Sequence, residues 1–321
     1  MYRPKIWGQA LMKDWPLLYI IFALFALILC NISQIDAIPL MFHEKRIVGG
    51  TIAQKNAWPW MLGLVENQDS GPLCGAALIH PKWAITAAHC VEAGRGEVVS
   101  ADYFQIVSGI IDYEQDYQSH MHSIKRVISH PNYDSVLVDN DIALLELQSE
   151  ITGIPPLDIF SGDISTYTGT VLGWGAISHN GIYSDQLREV SLPVVSFQTC
   201  VESTDYIVTE NMFCAGYPEG GKDACHGDSG GPFVIYENHH WQLAGIVSWG
   251  EDCAKPGNYG FFTNVPNYYY YILSYVPLNN SFSQEDINHD GIIDLKDVMM
   301  MIHHISKDVS KSIHHSKIKT K

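Results

Sequence analysis

The amino-acid sequence predicts an all-β protein over residues 47–276. Short apolar runs in this region are broken repeatedly by Gly, Pro, Asn and Asp, and no long helical period competes with them. Many short strands separated by turn residues are typical of a barrel or a sandwich. The clearest strand candidates are residues 76–79, 104–108, 142–147, 170–173, 232–235 and 243–248. A short helix is expected at residues 268–275, where the region ends.

The composition indicates a folded and strongly acidic protein. The chain has 321 residues, of which 46% are hydrophobic and 17% are charged, enough for a substantial core. The formal net charge is −16, and residues 47–302 hold nine Lys and Arg against 31 Asp and Glu. Because such a body repels phosphates, the composition argues against nucleic acid as a partner. It suits a protein that attracts basic substrates.

Residues 1–37 are predicted to be a signal peptide for export. Three basic residues precede an uninterrupted apolar run at 17–30. The run is shorter than the roughly 20 residues that a spanning helix needs, and an uncleaved membrane anchor is the alternative. Ala37 offers a small residue for cleavage, although Ile35 fits the usual small-x-small pattern poorly. We therefore expect a secreted, extracellular protein.

The cysteine content also points to an oxidising compartment. One of the seven cysteines, Cys30, lies in the expected signal peptide. An even number in an exported chain predicts three disulfides, and spacing alone allows 15 pairings for six cysteines. The six are Cys74, Cys90, Cys200, Cys214, Cys225 and Cys253.

Three short motifs carry the chemistry. They are Thr-Ala-Ala-His-Cys ending at Cys90, Asp-Asn-Asp-Ile-Ala-Leu-Leu starting at Asp139, and Gly-Asp-Ser-Gly-Gly-Pro starting at Gly227. A serine hydroxyl is a weak nucleophile until a base takes its proton, and imidazole titrates near neutral pH. Gly-Asp-Ser-Gly alone is a modest signal, but the three motifs in this order are specific. Over residues 47–276 the sequence resembles the trypsin/chymotrypsin family of serine endopeptidases.

The resemblance implies a fold and a catalytic centre. The expected fold is two six-stranded antiparallel Greek-key β-barrels with the active site between them. His89, Asp141 and Ser229 would be the catalytic base, the carboxylate that orients it and the nucleophile, as in this family's own triad. The N–H groups of Gly227 and Ser229 would form the oxyanion hole. Ser248 resembles the family's serine that hydrogen-bonds the triad aspartate, and we group it with the substrate-binding residues.

The resemblance also implies activation from a zymogen. Residues 38–46 are expected to be a propeptide that an activating protease, or the enzyme itself, removes after Arg46. The new Ile47 ammonium would then pair with Asp228, and a buried carboxylate that gains a partner can order the pocket beside it. The implied disulfides are Cys74–Cys90, Cys200–Cys214 and Cys225–Cys253.

A cation-selecting pocket is the further implication. Asp223 stands six residues before the nucleophile, at the place of the family's pocket floor, where a carboxylate selects Arg or Lys. Gly250 and Gly257 match the pocket-wall glycines. Ala224 replaces a serine that is common in trypsins, so Arg should be preferred over Lys. Asp252 replaces the usual glycine and adds negative charge near the pocket mouth.

The C-terminal region changes character after Pro277. Residues 282–302 contain a loop with EF-hand spacing, which also resembles a dockerin loop, and we expect Ca²⁺ there, with a short helical segment. The expected ligands are Asp286, Asn288, Asp290, Ile292 through its carbonyl, Asp294 and Asp297. The alternative is a solvated acidic turn. The segment could also dock a partner, although dockerins carry two such loops and one is visible. Residues 303–321 form a basic polar tail.

The sequence as a whole predicts a secreted trypsin-like serine endopeptidase. It would hydrolyse protein or peptide substrates after Arg, and less well after Lys, through an acyl-enzyme. No cofactor is needed for this catalysis, and we expect a monomer. The alternative is a binding protein on a protease scaffold, with the C-terminal segment as its docking element.

Overall fold

The computed structural model of the chain describes residues 48–67, 71–94, 96–113, 120–176 and 184–278. Within these ranges fourteen strands dominate, with two short α-helices, α1 (Phe197–Glu202) and α2 (Tyr269–Leu273). No helix in the same ranges is long and apolar enough to cross a membrane. The strands are β1 Thr51–Ile52, β2 Met61–Glu66, β3 Cys74–His80, β4 Trp83–Thr86, β5 Phe104–Ser108, β6 Met121–Ser129, β7 Ala143–Leu147, β8 Asp158–Ile159, β9 Thr168–Gly173, β10 Arg188–Pro193, β11 Met212–Ala215, β12 Pro232–Glu237, β13 His240–Gly250 and β14 Gly260–Asn264.

The first sheet is a closed six-stranded barrel. Its strand order is β2-β3-β4-β7-β6-β5, with β5 pairing back to β2, and every pair is antiparallel. Strands β2, β3 and β4 are buried along nearly their whole length, whereas β6 faces solvent and buries only Ile124. The nearly continuous apolar sequences of β2, β3 and β4 therefore match their burial, and the more polar sequence of β6 matches its exposure to solvent.

The second sheet has eight strands and its own aromatic core. Its main path is β1-β10-β9-β12-β13-β14-β11, and β8 pairs in parallel with β13. Phe213, Phe233 and Phe262, from β11, β12 and β14, place their ring centroids 5.0 to 5.1 Å apart. Rings that meet mostly edge to face at this spacing add to the stability that burial alone supplies.

The prediction of two six-stranded barrels needs a correction for the second sheet. Its path ends at β1 and β11, and the only described link that would close it is an isolated bridge between Val194, directly after β10, and Ala215 of β11. The chain leaves the strand direction just after β10, because the Ser196 hydroxyl accepts the Thr199 N–H at 3.1 Å and starts α1. Strand β11 has only four residues, so it forms little pairing with the segment after β10, and the sheet stays a half-barrel. The two-residue strands β1 and β8 pair with β10 and β13.

Five of the six strand candidates from the sequence lie wholly on strands of the structure, and the sixth, 142–147, starts one residue before β7. Helix α2 lies within the expected helix. The structure also has the three disulfides Cys74–Cys90, Cys200–Cys214 and Cys225–Cys253. Several predictions fall outside the described residues. They are the signal peptide, the propeptide with Arg46 and the Ile47 that follows it, the calcium loop at 286–297 and the basic tail.

Candidate active site

His89 and Asp141 are both supplied by the first barrel. His89 lies in a 3-10 turn directly after β4, and the disulfide from Cys90 to Cys74 ties that turn to β3. Asp141 stands just before β7, which pairs with β4, so the two side chains lie at the same end of neighbouring strands. The Nδ1 atom of His89 is 2.8 Å from Oδ2 of Asp141, and the backbone N–H of His89 donates to Oδ1 at 2.9 Å. One carboxylate thus holds both the ring and its backbone.

The second sheet completes the surroundings of Asp141. The Ser248 hydroxyl donates to Oδ2 at 2.5 Å, and the Thr263 hydroxyl donates to the Asp141 backbone carbonyl at 2.7 Å. Asp141 is only 1% exposed, yet these donors and His89 satisfy it. Burial lowers the pKa of His89, but the charge of Asp141 and the hydrogen bond to it outweigh burial. The pKa of His89 therefore lies above its usual 6.5.

Ser229 sits in a tight turn between glycines with positive φ. Gly227 has φ +91° and Gly230 has φ +75°, a region that L side chains rarely adopt. A Cβ at Gly230 would lie 2.2 Å from the Thr86 hydroxyl, so the turn fits against the first barrel only without one. The Gly75 N–H of β3 donates to the Ser229 carbonyl at 2.7 Å, which fixes the turn to that barrel.

The amides of this turn divide into two groups. The N–H groups of Asp228, Gly230 and Gly231 donate to backbone carbonyls at 2.8 to 3.0 Å. Within the described residues the N–H groups of Gly227 and Ser229 donate no backbone hydrogen bond. Buried or half-buried amides normally find a partner, so these two donors are available to an oxygen that enters the site.

The imidazole is not hydrogen-bonded to the nucleophile. In the described part of the chain, Nε2 of His89 lies 3.7 Å from Sγ of Cys90, and no hydrogen bond joins it to Ser229. Contacts of this kind are often loose without substrate and tighten when the reacting group enters. The contact of His89 with Asp141 is thus present among the described residues, while the transfer of a proton from Ser229 to His89 stays a prediction.

A cavity of about 240 Å³ opens beside Ser229. Asp223 lies on its wall and is only 3% exposed. Its Oδ2 atom accepts the Ala254 N–H at 2.9 Å, while Oδ1 is buried without a partner among the described residues. Burial raises the pKa of Asp223 to about 7, although backbone N–H donors act against the rise. The lining includes Asp223, Ala224, Ser229, Gly250, Glu251 and Gly260.

Gly260, a glycine that the sequence analysis did not select, lines the cavity, and the role of Gly257 at the pocket wall stays a prediction. Gly257 lies in the turn after β13, where an added Cβ would meet nothing within 4 Å. Gly260 pairs with Gly250 across β13 and β14, and a Cβ there would lie 2.8 Å from Oδ1 of Asp223. The sequence signal that could have identified Gly260 is its position within an aromatic run, between Tyr259 and Phe261.

Asp228 lies fully buried beneath the nucleophile turn. Its carboxylate accepts the N–H groups of Gly175 at 2.9 Å and Cys225 at 2.8 Å. Burial raises the pKa of Asp228 to about 6, and the two amides and the charge of Arg188 act against the rise. Gly173 and Gly175 leave the room for this carboxylate, because a Cβ at either would approach it within 2.6 Å.

Residues 47–272 match the family model described as Trypsin. This chain belongs to the trypsin family. The closed barrel, the second sheet and the disulfides agree with that membership. The trypsin-family chain is therefore a serine peptidase, a hydrolase that acts on protein or peptide substrates.

Proposed function

We propose that this trypsin-family chain is a secreted endopeptidase, made as a zymogen, that cuts after Arg and less well after Lys. The observation that carries the specificity is the buried Oδ1 atom of Asp223, which has no partner among the described residues and lies on the wall of the cavity. A buried carboxylate without a partner is costly, and a guanidinium supplies the missing donors with a matching charge.

The proposed catalytic sequence assigns one step to each side chain of the site. His89 removes the proton from the Ser229 hydroxyl as its oxygen attacks the substrate carbonyl carbon. The resulting oxyanion accepts hydrogen bonds from the N–H groups of Gly227 and Ser229. The His89 imidazolium, stabilised by Asp141, then gives its proton to the leaving amine and the acyl-enzyme forms. Water, activated by His89, releases the acid and restores Ser229.

An open strand edge supports binding of an extended peptide. Pairing of β12 with β13 stops at Ile246, so residues 248–250 of β13 pair only with β14 on their other side. A substrate can add as a strand along this free edge, with backbone hydrogen bonds supplying affinity. Its scissile side chain then reaches the cavity between Gly250 and Gly260.

Arg should be favoured over Lys. Ala224 lines the cavity beside Asp223. Because its side chain is a methyl group, it offers no hydroxyl to the ammonium of a Lys side chain. The planar guanidinium is longer and can use two donors on one carboxylate, whereas Lys presents a compact charge on a flexible stem. The preference therefore rests on donor geometry rather than on charge.

Two contacts support a link between N-terminal processing and the pocket. The Asp223 N–H donates to the Val48 carbonyl at 3.1 Å, and Nη2 of Arg188 donates to the Gly50 carbonyl at 2.9 Å. The segment that directly follows the proposed cleavage point thus touches both the pocket residue and a buried cation near Asp228. Release of Ile47 would free this segment to order the pocket, with Asp228 as the buried acceptor of the new ammonium.

The first experiment compares peptide amides that end in Arg, Lys, Gln or Leu, using the chain activated at Ile47. We expect the order Arg, then Lys, with the neutral substrates nearly uncut. Asp223→Ser should lose both basic substrates while a fluorophosphonate probe still labels Ser229. Preference of the parent enzyme for Leu would refute the assigned specificity, and absence of labelling would favour a binding protein without activity.

The second experiment tests activation. Arg46→Gln should stay inactive after treatment with a trypsin-like protease, and the matched variant Lys45→Gln should activate normally. Full activity of uncleaved Arg46→Gln would sink the zymogen proposal. Recovery of the protein from the culture medium, with residues 1–37 removed, tests secretion.

A further inference from the structure

Glu251 lines the same cavity as Asp223 but lies at its rim, directly after β13. Its Oε1 atom accepts the Thr204 hydroxyl at 3.0 Å, and its backbone carbonyl accepts the Asn258 amide at 3.0 Å. The side chain and the backbone are thus both held in place. Such a group can act on a substrate without first losing much conformational freedom.

The charge of Glu251 is not balanced by a cation within the described part of the chain. No ion pair there includes it, although basic residues lie near it in sequence. Lys255 pairs with Asp252 instead, at 2.6 Å, and Lys222 lies over the ring of Tyr217. The two adjacent carboxylates, Glu251 and Asp252, therefore differ: one is paired and the other is available.

Two aromatic rings lie at the same place. The rings of Tyr206 and Trp249 meet edge to face with centroids 5.8 Å apart, and Tyr206 is 65% exposed. The Thr204 hydroxyl that holds Glu251 also accepts the Tyr206 N–H, at 3.2 Å. A carboxylate beside exposed aromatic surface suits the side chain of Arg or Lys, whose apolar stem packs on a ring while its charge pairs with the acid.

The free edge of β13 indicates which substrate residue arrives there. Side chains alternate along an extended strand, so the residue two before the scissile Arg faces the same side as that Arg. We call it the upstream residue. Gly250 and the next residue, Glu251, both line the cavity that would take the scissile Arg.

We propose that Glu251, Tyr206 and Trp249 form a second cation subsite that selects Arg or Lys at the upstream residue. The inference rests on the proposed function, because it requires the scissile Arg to occupy the Asp223 pocket. The preferred substrates are then peptides with two basic residues separated by one residue, of which the second is cut.

The test uses the activated full chain and four fluorogenic amides, Lys-Gly-Arg, Gln-Gly-Arg, Glu-Gly-Arg and Leu-Gly-Arg. At low ionic strength we expect kcat/KM for the Lys peptide to exceed that for the Gln peptide by about fivefold and that for the Glu peptide by about tenfold. High salt should compress both ratios, since the rim is open to solvent.

Glu251→Gln and Asp252→Asn form a matched pair, because each removes one negative charge at adjacent positions. Glu251→Gln keeps an acceptor for Thr204 and should bring the Lys-to-Gln ratio close to one. Asp252→Asn should retain most of the ratio. Asn also tolerates the positive φ of 40° at position 252.

Equal kcat/KM for the Lys and Glu peptides, or an unchanged ratio in Glu251→Gln, would overturn the subsite. A Leu peptide faster than the Lys peptide would show that the aromatic rings select an apolar residue, and would also overturn it. If none of the four Arg peptides is cut although Ser229 is labelled by a fluorophosphonate, the Arg specificity itself fails and this inference fails with it.

Discussion

The first barrel holds its catalytic residues with regular strand pairing, whereas the second sheet holds its residues in loops that bury carboxylates. His89 and Asp141 stand at the ends of the paired strands β4 and β7, and Asp141 is satisfied by several donors. Ser229, Asp223 and Asp228 lie in loops of the second sheet. Burial raises the pKa of Asp223 to about 7 and that of Asp228 to about 6.

This difference suggests a division of tasks: the first barrel orients the catalytic base, and the second sheet supplies the carboxylates proposed to bind cations. The carboxylate of the first barrel is paired in the free enzyme, so it is ready before substrate arrives. Burial disfavours the charged forms of Asp223 and Asp228, and under the proposed function each would gain a cation: a substrate side chain for Asp223 and the new N-terminus for Asp228. We therefore expect the second sheet to respond to pH, processing and substrate more than the first barrel does.

The largest expected effect is the loss of kcat on removing His89 or Ser229, which tests whether the first barrel and the second sheet form one catalytic unit. His89→Ala changes the first barrel and Ser229→Ala changes the second sheet, yet each should lower kcat by about 10⁴-fold or more, as triad removal does in this family. The double variant should be little worse than either single variant. Single-turnover amide hydrolysis measures this, with unchanged circular dichroism as the control. Losses that multiply would contradict a shared unit.

A smaller effect sharpens the account of the pocket wall. Gly260→Ala should lower kcat/KM for Arg peptides by about 30-fold, because the new Cβ lies 2.8 Å from Oδ1 of Asp223. Gly257→Ala is the control: it meets no atom within 4 Å but has φ +82°. It should cost about 1 kcal/mol of stability and leave specificity unchanged. The opposite pattern would show that Gly257, and not Gly260, controls access to the pocket.

The pH dependence of stability tests the buried charge directly. The pKa of Asp223 rises from 3.8 to about 7 on folding, so the native state binds the extra proton between these values and stability falls as pH rises through them. Asp223→Asn should remove this fall in stability, because the amide side chain does not ionise. In a Ser229→Ala background it should raise the free energy of unfolding by about 2 to 4 kcal/mol at pH 8 and change it little at pH 4.

Denaturant unfolding at the two pH values makes that comparison. Asp141→Asn, in the same background, offers the contrast from the first barrel: Asp141 is already hydrogen-bonded by His89 and Ser248, so its removal should not stabilise the protein at pH 8. Equal effects of the two substitutions would erase the distinction between the halves.

The smallest effect concerns the region beyond the second sheet. Val276 is 1% exposed and belongs to a buried hydrophobic cluster, against which Leu278 packs, so the last described residues are anchored to the folded domain. A chain ending at Leu278 should keep kcat/KM on small peptides within about twofold, since the contacts described for the site all join residues within 48–278. A large loss would show that the C-terminal segment supports catalysis.

The predicted calcium loop is tested on the full chain. Calorimetry should give a Ca²⁺ binding heat that Asp286→Ala/Asp290→Ala removes, because several carboxylates in one short loop repel one another without a cation. Equal heats in the two proteins would place the metal elsewhere.

Sequence alone was sufficient for features set by local pattern or by residue type. The chemistry of Ser229, His89 and Asp141 requires those side chains in motifs that stay recognisable along the chain. Strands such as β5 follow from apolar runs bounded by turn residues, because burial and turn geometry are largely local properties. The even number of cysteines likewise required no coordinates.

Only the tertiary structure decided features that depend on contacts between distant residues. Gly260 lines the cavity beside Asp223 because the pairing of β13 with β14 places it opposite Gly250. The second sheet stayed open because β10 and β11 share one bridge. Thr204 joined Glu251 to Tyr206 across 47 residues of sequence. Register, closure and shared hydrogen bonds are relations between separate segments, and one-dimensional spacing does not specify them.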